Sequence, residues 1–475
     1  MEKADIGLIG LGVMGSNLAL NIAEKGHRIA VFNRTTAKTD EFVRNAGELA
    51  GRIVPCHTIE ALAEAIRPPR PIILMVQAGA AVDEQIALLR GVLQKNDIVI
   101  DAGNANFHDT VRRFAELEPT GLTFIGMGVS GGEEGARHGP SIMVGGTEES
   151  WRRVEPVLTA ISAKHEGEAC AAWLGPGGAG HFVKTIHNGI EYADMQMIAE
   201  IYGVLRDGHG LAAKEIAPVF ARWNEGRLNS YLIEISAAVL KAVDPKTGGP
   251  VVDIILDRAG QKGTGKWSAV EAQTLGVPAT AIEAAVAARV LSSMKPQRLE
   301  AETVYGALPA TGWSKPDATA LGELELALLA GKIAAYAQGF AVMAAASDAF
   351  KWNVPLPTVA KIWRAGCIIR SQFLGEIAQA FGGGGSVPNL LMTPAFVAMM
   401  KEAHPALRSV VAKAAGAGLP VPALASALDY FDSYRQGRGT SNLIQAQRDF
   451  FGAHGFERTD APGAHHGPWG SGAGG

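Results

Sequence analysis

The stretch Gly10-Leu11-Gly12-Val13-Met14-Gly15 follows a β-branched apolar run at 6–10 and opens a helical pattern at 16–25. In a strand–turn–helix unit the first glycine permits the tight turn, the second lets backbone approach a pyrophosphate, and the third allows close packing of helix on strand. The helix N-terminus then stabilises the phosphate charge. We therefore predict that this stretch binds a dinucleotide cofactor, the alternative being a plain glycine-rich connection.

The segment Asn33-Arg34-Thr35 comes after the second predicted strand, where an NAD-selective site carries a carboxylate for the ribose 2′-hydroxyl. A carboxylate there would repel a 2′-phosphate, whereas Arg34 can pair with it through a planar guanidinium and Thr35 can add a hydroxyl donor. The segment therefore predicts a site for NADP rather than NAD. The alternative is that Arg34 is an exposed loop arginine.

Outward from the glycine turn, short strand-like runs alternate with helical patterns through the first third of the chain. The predicted strands are 6–10, 28–32, 72–76, 98–101 and 122–125. This alternation predicts a parallel sheet with crossover helices, whose ligand binds beyond the carboxyl ends of the strands. From about residue 180, long Ala- and Leu-rich segments at helical spacing replace the strands, such as 279–294 and 321–350.

We therefore predict an α/β protein with three parts. They are a Rossmann-like, doubly wound N-terminal domain at 1–178, a large all-α domain at 179–440 and a C-terminal tail at 441–475. Pro176-Gly177-Gly178 marks the predicted hinge. At 475 residues the chain is long enough for two or three domains, each with its own core.

Composition argues against several classes of protein. With 47% hydrophobic and 19% charged residues and a net charge of -4, the chain is typical of a globular protein and not of a nucleic-acid binder. Cys56, Cys170 and Cys367 form no CxxC pair, which predicts no disulfide framework or metal site and suits a reducing cytoplasm. The start lacks signal-peptide architecture. The apolar stretch 333–347 is shorter than the ~20 residues of a membrane-spanning helix, so we expect a buried core helix and no membrane.

A second informative stretch is 180–192, which has helical spacing despite Gly189. Lys184, His187, Asn188 and Glu191 fall at i, i+3, i+4 and i+7 and share one face. Lys184 and Glu191 are separated by about 10.5 Å of helix rise, which leaves room for a substrate between them. The alternative is a solvated polar stripe, but a solvent-facing helix has no need of a costly glycine.

Four motifs carry a specific resemblance. They are GMGVSGGEEGAR at 126–137, GHFVKTIHNGIEY at 180–192, GQKGTGKW at 260–267 and AQRDFFGAH at 446–454. In this order and over nearly the whole chain, they resemble the 6-phosphogluconate dehydrogenase family. The resemblance implies NADP-dependent oxidative decarboxylation of 6-phosphogluconate to ribulose 5-phosphate and carbon dioxide, without a metal.

The resemblance assigns the acid/base work to two residues. Lys184 takes the proton from the C3 hydroxyl during hydride transfer, and Glu191 later protonates C1 of the enediol left by decarboxylation. A free lysine titrates near ~10.4, so its pKa must fall by roughly 3 units to act as a base at neutral pH. Since the two side chains would share one proton, apparent pKa values would belong to the pair.

The resemblance also implies the binding residues. The sugar-acid end of the substrate is held by Asn104, Ser130, Gly131, Gly132, His187 and Asn188, and its remaining contacts, chiefly to the phosphate, are Tyr192, Lys262, Thr264, Arg289, Arg448 and His454. Contacts to the cofactor come from Asn33, Arg34 and Thr35, from the glycine turn, and from Val76, Gln77, Ala78 and Asn104. Many family members have lysine where this chain has Gln77, so the strength and salt dependence of cofactor binding are open.

The resemblance further implies a homodimer, because the family's counterparts of Arg448 and His454 come from the partner subunit. The very apolar segment 321–346 fits an obligate interface. Two alternatives remain: a related β-hydroxyacid dehydrogenase acting on an unphosphorylated acid, and a non-catalytic NADP-binding protein. The four cationic and hydroxyl side chains Lys262, Thr264, Arg289 and Arg448 argue against the first, and the intact set on helix 180–192 against the second.

Overall fold

The structure is a computed structural model that describes residues 2–308, 310–383 and 387–469. It contains two compact units, Met1–Leu428 and Asp429–Gly475. The first holds the mixed sheet and most of the helices, and the second holds the end of one helix, a further helix and a short hairpin. The predicted division at 178 and 440 stays a prediction.

The strands and helices are numbered in chain order. The strands are β1 (Ile6–Ile9), β2 (Ile29–Phe32), β3 (Ile53–Cys56), β4 (Pro71–Leu74), β5 (Ile98–Asp101), β6 (Thr123–Val129), β7 (Ile142–Val144), β8 (Lys164–His165), β9 (Glu168–Ala169), β10 (Ala171–Trp173), β11 (Phe456–Glu457) and β12 (Ala464–His465). The first ten helices are α1 (Val13–Glu24), α2 (Thr36–Asn45), α3 (Ile59–Ala65), α4 (Ala80–Arg90), α5 (Phe107–Leu117), α6 (Gly132–His138), α7 (Glu148–Ile161), α8 (Ala179–Gly203), α9 (Ala213–Trp223) and α10 (Tyr231–Lys241). The others are α11 (Val251–Ile254), α12 (Thr264–Thr274), α13 (Thr280–Ser293), α14 (Lys295–Tyr305), α15 (Ala318–Phe350), α16 (Leu356–Ile362), α17 (Leu374–Gly382), α18 (Pro394–Gly416), α19 (Pro422–Arg435) and α20 (Ser441–Gly452).

The N-terminal sheet has the order β3-β2-β1-β4-β5-β6-β7-β10. Strands β1 to β6 pair in parallel, as predicted, but β7 runs antiparallel to β6. The chain order reverses between β1 and β4, so the crevice beyond their carboxyl ends is where such a fold binds its ligand. The predicted Rossmann-like, doubly wound domain is confirmed, and the sheet is mixed rather than wholly parallel.

The sequence pattern did not predict three strands of this sheet. Strand β3 contains Pro55 and lies at the edge, where a missing N–H is tolerated. Strands β7 and β10 have three residues each, too few for a visible alternation of polar and apolar side chains. Of the predicted strands, 98–101 has the observed bounds, three others differ by one or two residues at their ends, and 122–125 continues to residue 129.

Helix α15 is the core element of the helical part. It is 33 residues long and, among the described residues, is the one helix long and apolar enough to cross a membrane. However, 89% of its most apolar window is buried inside the protein, which confirms the predicted core helix. Burial in the core of a single chain accounts for much of the apolar character of 321–346, which is therefore no evidence for a subunit interface. The predicted homodimer stays a prediction.

Helix α8 packs against α12 through a glycine. An added Cβ on Gly189 would lie 2.6 Å from both Cβ and Oγ of Ser268, whose hydroxyl donates to the Thr185 carbonyl oxygen at 2.6 Å. The helix carries Gly189 because another helix lies against it at this point. The sequence pattern favours a functional reason for this glycine, but the structure shows close packing as its cause.

We predict that Gly189→Ala lowers the stability of the protein by about 1–3 kcal/mol, because the new methyl group overlaps Ser268. The matched control is Gly203→Ala on the same helix, where an added Cβ meets no atom within 4 Å. That change should raise stability by up to about 1 kcal/mol through helix propensity. Urea unfolding of both variants checks this, and equal effects would contradict the packing explanation.

Candidate active site

The glycine turn has the shape of a phosphate cradle. Gly10 has φ +103°, and an added Cβ would overlap the Met75 carbonyl oxygen, while one on Gly15 would overlap the Gly10 carbonyl oxygen. At Gly12 an added Cβ meets no atom within 4 Å, and Val13 beside it is exposed. Gly12 is also the N-cap of α1 and has no side-chain cap. The open surface and the uncapped N–H groups suit an anionic ligand.

Asn33 fixes the end of β2 to this turn. Its Oδ1 accepts from the Leu11 N–H at 3.0 Å, and its Nδ2 donates to the Thr35 carbonyl oxygen at 3.2 Å. The side chains of Arg34 and Thr35 are exposed next to this junction. The structure thus brings the two predicted cofactor segments, the glycine turn and Asn33-Arg34-Thr35, to one place.

A buried arginine organises the neighbouring turns. Arg113 on α5 donates to Asp101 at the end of β5 at 3.2 Å, to Asp83 on α4 at 2.8 Å and to the Gly79 carbonyl oxygen at 3.0 Å. Asp101 also accepts from the Gly103 N–H at 3.1 Å. These bonds fix the loops that carry the predicted cofactor contacts Val76, Gln77, Ala78 and Asn104, of which Gln77 and Asn104 are exposed.

Arg113 has a structural role that was not predicted from the sequence. It lies in α5 in register with the buried residues Phe107, Thr110 and Leu117, and its side chain is 1% exposed. An arginine on an apolar helix face is the sequence signal that could have identified it, since such a charge is buried only when paired.

The polar face of α8 is buried. Lys184 Nζ donates to Asn188 Oδ1 at 2.8 Å and lies 3.3 Å from His187 Nδ1, and His187 Nε2 lies 3.1 Å from the Ser130 hydroxyl after β6. His187 Nδ1 is 3.7 Å from Glu191 Oε2. Lys184, His187, Asn188 and Ser130 are all buried, and the Glu191 side chain is 20% exposed. The alternative of a solvated stripe is therefore wrong.

Strand β6 makes this burial possible. A Cβ on Gly128 would overlap Cβ of Lys184, so only glycine allows the strand and helix to approach this closely. His181, one turn earlier on α8, is also buried and lies 2.7 Å from the Thr110 hydroxyl. The stretch 126–128, with glycine at alternate positions of a strand, is the sequence feature that predicts such an approach.

Burial shifts the protonation of this cluster. It lowers the pKa of the Lys184 ammonium, against the opposing effects of Glu191 and Cys367. It raises the pKa of the Glu191 carboxyl, with Lys184 and Arg289 opposing and Asp194 adding to the rise. Burial and the Lys184 charge hold the pKa of His187 well below its usual value. Each group is therefore driven towards its neutral form.

Four of the residues expected at the substrate phosphate lie on three helices and a loop. The Arg289 guanidinium of α13 is 3.7 Å from the centre of the Tyr192 ring on α8. Thr264 is buried at the start of α12, and Lys262 is exposed in the preceding loop. For the sugar-acid end, Gly131 and Gly132 form the start of α6 directly after Ser130.

The C-terminal unit, which carries Arg448 and His454, is organised by one carboxylate. Asp449 on α20 accepts from His466 Nδ1 at 2.6 Å, from Trp469 Nε1 at 2.7 Å and from the N–H groups of Gly455 and Gly467 at 2.9 Å each. These hydrogen bonds, foremost that of Gly467, hold the pKa of the Asp449 carboxyl well below its usual range. The side chains of Arg448 and His454 are both exposed.

Over the described ranges, no group of three or more His, Cys, Asp or Glu side chains is arranged to hold a metal ion. The three cysteines Cys56, Cys170 and Cys367 are free and buried.

Comparison with known proteins gives consistent results. The family model for the NAD binding domain of 6-phosphogluconate dehydrogenase matches residues 5–175, and that for the 6-phosphogluconate dehydrogenase C-terminal domain matches residues 180–469. The NADP(+)-dependent decarboxylating 6-phosphogluconate dehydrogenase of Bacillus subtilis is 48% identical, covering 99% of this chain and 100% of the relative. The NAD(+)-dependent enzyme of the same organism is 46% identical, covering 98% of this chain and 99% of the relative.

A solved structure gives the same result. The 6-phosphogluconate dehydrogenase of Plasmodium falciparum, described in its apo form and in complex with NADP+ and with 6-phosphogluconate, superposes with a TM-score of 0.94 at 40% identity. The superposition covers 98% of this chain and 100% of that one. The chain belongs to the 6-phosphogluconate dehydrogenase family.

Proposed function

We propose that this protein catalyses the oxidative decarboxylation of 6-phosphogluconate to ribulose 5-phosphate and carbon dioxide with NADP as oxidant. The observation that carries the proposal is the buried cluster on α8, in which Lys184, His187 and Asn188 are bonded together and Glu191 lies one turn further on. The full-length relatives named for this reaction support it.

In the first step Lys184 acts as the base. NADP+, when bound at the glycine turn, supplies the acceptor for the hydride that leaves C3 of the substrate. Lys184 takes the proton of the C3 hydroxyl, for which its amine must be neutral, and burial favours that form. Asn188 Oδ1 accepts one amine hydrogen and so orients the lone pair.

In the later steps Lys184 returns the proton to the substrate. The Lys184 ammonium donates to the new C3 carbonyl oxygen and draws electrons from the breaking C1–C2 bond as carbon dioxide leaves. The resulting enediol, whose C1 is the former C2 of the substrate, takes a proton on C1 from the Glu191 carboxyl. Lys184 takes back the proton of the neighbouring enediol hydroxyl, which leaves the ketone of ribulose 5-phosphate. Glu191 must be protonated for this, and its raised pKa supports the role. Turnover should therefore be bell-shaped in pH, with apparent values that belong to the pair.

The binding roles follow the same arrangement. We propose that the sugar-acid end of the substrate is held by Ser130, Gly131, Gly132, His187, Asn188 and Asn104. The phosphate end is bound by Tyr192, Lys262, Thr264 and Arg289, completed by the partner subunit's Arg448 and the partner subunit's His454. Stacked on Tyr192, Arg289 is well placed to present its guanidinium to an anion.

For the cofactor we propose a preference for NADP over NAD. Arg34 is exposed beside the glycine turn, and its planar guanidinium group can form two hydrogen bonds to a 2′-phosphate. An NADP-dependent and an NAD-dependent relative are similar to this chain to nearly the same degree, so overall identity does not distinguish the two cofactors. The proposed preference rests on Arg34 instead. Gln77, Val76 and Ala78 complete the proposed cofactor contacts together with Asn104.

We also propose a homodimer in the cytoplasm, in which Arg448 and His454 complete the site of the neighbouring subunit. Helix α20 exposes a set of large apolar side chains suited to a partner surface, namely Leu443, Ile444, Phe450 and Phe451. Helix α14 has no buried residue and exposes Tyr305 at 87%. Three free cysteines suit a reducing compartment.

We predict that Lys184→Met lowers kcat by roughly 10²–10⁴-fold, the usual contribution of a general base. The measurement is NADPH absorbance at saturating 6-phosphogluconate, together with calorimetric binding of that substrate, which should persist. Lys214→Met, at an exposed lysine of α9, is the control and should retain full activity. Substantial turnover by Lys184→Met would mean that another group is the base.

We predict that Arg34→Ala weakens NADP binding by roughly 10–100-fold, the value of hydrogen bonds to a charged group, and leaves NAD binding almost unchanged. Fluorescence titration with both cofactors measures this. Arg44→Ala at the end of α2 is the control for a general loss of positive charge. Equal losses for the two cofactors would contradict the 2′-phosphate assignment.

A further inference from the structure

A buried ion pair joins α8 to α15 next to the acid/base residues. Lys332 Nζ lies 2.6 Å from both carboxylate oxygens of Asp194, and the side chains are 0% and 2% exposed. Lys332 stands in the middle of the 33-residue core helix. A buried pair of this kind often stabilises a protein no better than apolar side chains of the same size. Stability alone therefore does not explain why this ion pair lies in the core.

The position of the pair relative to Glu191 suggests another role. Asp194 follows Glu191 by three residues on α8, so their side chains are neighbours on the helix surface. Tyr336, one turn after Lys332, is fully buried, and its hydroxyl donates to the Ile369 carbonyl oxygen at 2.8 Å. Since the pair is shut away from bulk water, its field is weakly screened.

Several charged or titratable groups act on Glu191. From α8 these are Lys184, His187 and Asp194, from α13 Arg289, and from the segment after α16 Cys367. Lys184 and Arg289 favour the carboxylate, whereas burial and the Asp194 charge favour the protonated acid and raise the pKa of Glu191. Asp194 thus adds to burial in favouring the protonated acid, as the smallest of these four effects.

We propose that Asp194, held in place by Lys332, is a positioning residue that keeps the proton on Glu191 until C1 of the enediol requires it. Lys332 fixes the Asp194 carboxylate by a contact to both oxygens. The negative member of the pair belongs to α8, the helix of the acid, and the positive member belongs to α15. The role of Asp194 rests on the proposed role of Glu191.

The test removes both charges and keeps a hydrogen bond, in the doubly substituted protein Asp194→Asn with Lys332→Gln. The full-length protein is titrated by infrared spectroscopy, and the carboxyl band of Glu191 is identified by its loss in Glu191→Gln. The midpoint should fall, by at most about one pH unit, because the variant removes two opposite charges whose effects on Glu191 partly cancel, while Asp194 is the one on the helix of Glu191. For 6-phosphogluconate turnover, kcat should fall and KM should stay unchanged.

The control is Asp97→Asn with Arg70→Gln, which removes a largely buried ion pair whose members directly precede β5 and β4, at the amino ends of these strands. It should lower stability and leave the Glu191 midpoint where it is. An unchanged midpoint in the variant that lacks the Asp194 and Lys332 charges would overturn the proposal. If that variant does not fold, the wild type decides, because a Glu191 ionised at neutral pH contradicts the proposal.

The infrared titration needs no turnover. A wild-type protein that does not oxidise 6-phosphogluconate would refute the proposed function, while the midpoint shift would still report on Asp194. The two failures are therefore distinguishable.

Discussion

The close approach of α8 to β6 is the constraint on which the rest of the site depends. Because Gly128 has no side chain, the helix lies against the strand and Lys184 is shut away from water. A side chain at that position would push the helix outward and restore the solvation of the amine. The same approach brings Ser130, directly after β6, within hydrogen-bond distance of His187. One small residue thus allows both the burial of the amine that we propose as the base and the close packing around the proposed substrate site.

The electrostatics of the site follow from that burial. Burial drives the Lys184 amine and the Glu191 carboxyl towards their neutral forms, which are the forms that the proposed base and acid need. His187 stays neutral between them and serves as a hydrogen-bonding group rather than a charge. The buried Asp194–Lys332 pair adds a fixed field from the protein core, so the proposed control of Glu191 extends beyond the proposed substrate contacts.

Much of this was predictable from the sequence, and the failures have physical causes. The glycine turn, the core helix α15 and the shared face of Lys184 and Glu191 are local patterns, so spacing revealed them. Short strands such as β7 and the buried Arg113 depend on contacts with distant segments, which no local pattern records. Gly189 argues against a solvated stripe on α8, but the spacing of α8 does not indicate that its polar face packs against β6. The family resemblance supplied the proposed roles of Lys262, Arg289 and Arg448, which are ordinary surface residues by pattern.

Binding of a phosphorylated sugar acid and its oxidation at C3 with NADP are central to the proposed mechanism. The most direct measurement compares steady-state kcat/KM for 6-phosphogluconate and for gluconate, with NADP as the cofactor in both. Since a charged hydrogen bond contributes about 1.5–3 kcal/mol, we predict that gluconate is poorer by roughly 10²-fold or more. Equal values for the two acids would contradict this mechanism, and would favour a dehydrogenase of unphosphorylated hydroxy acids.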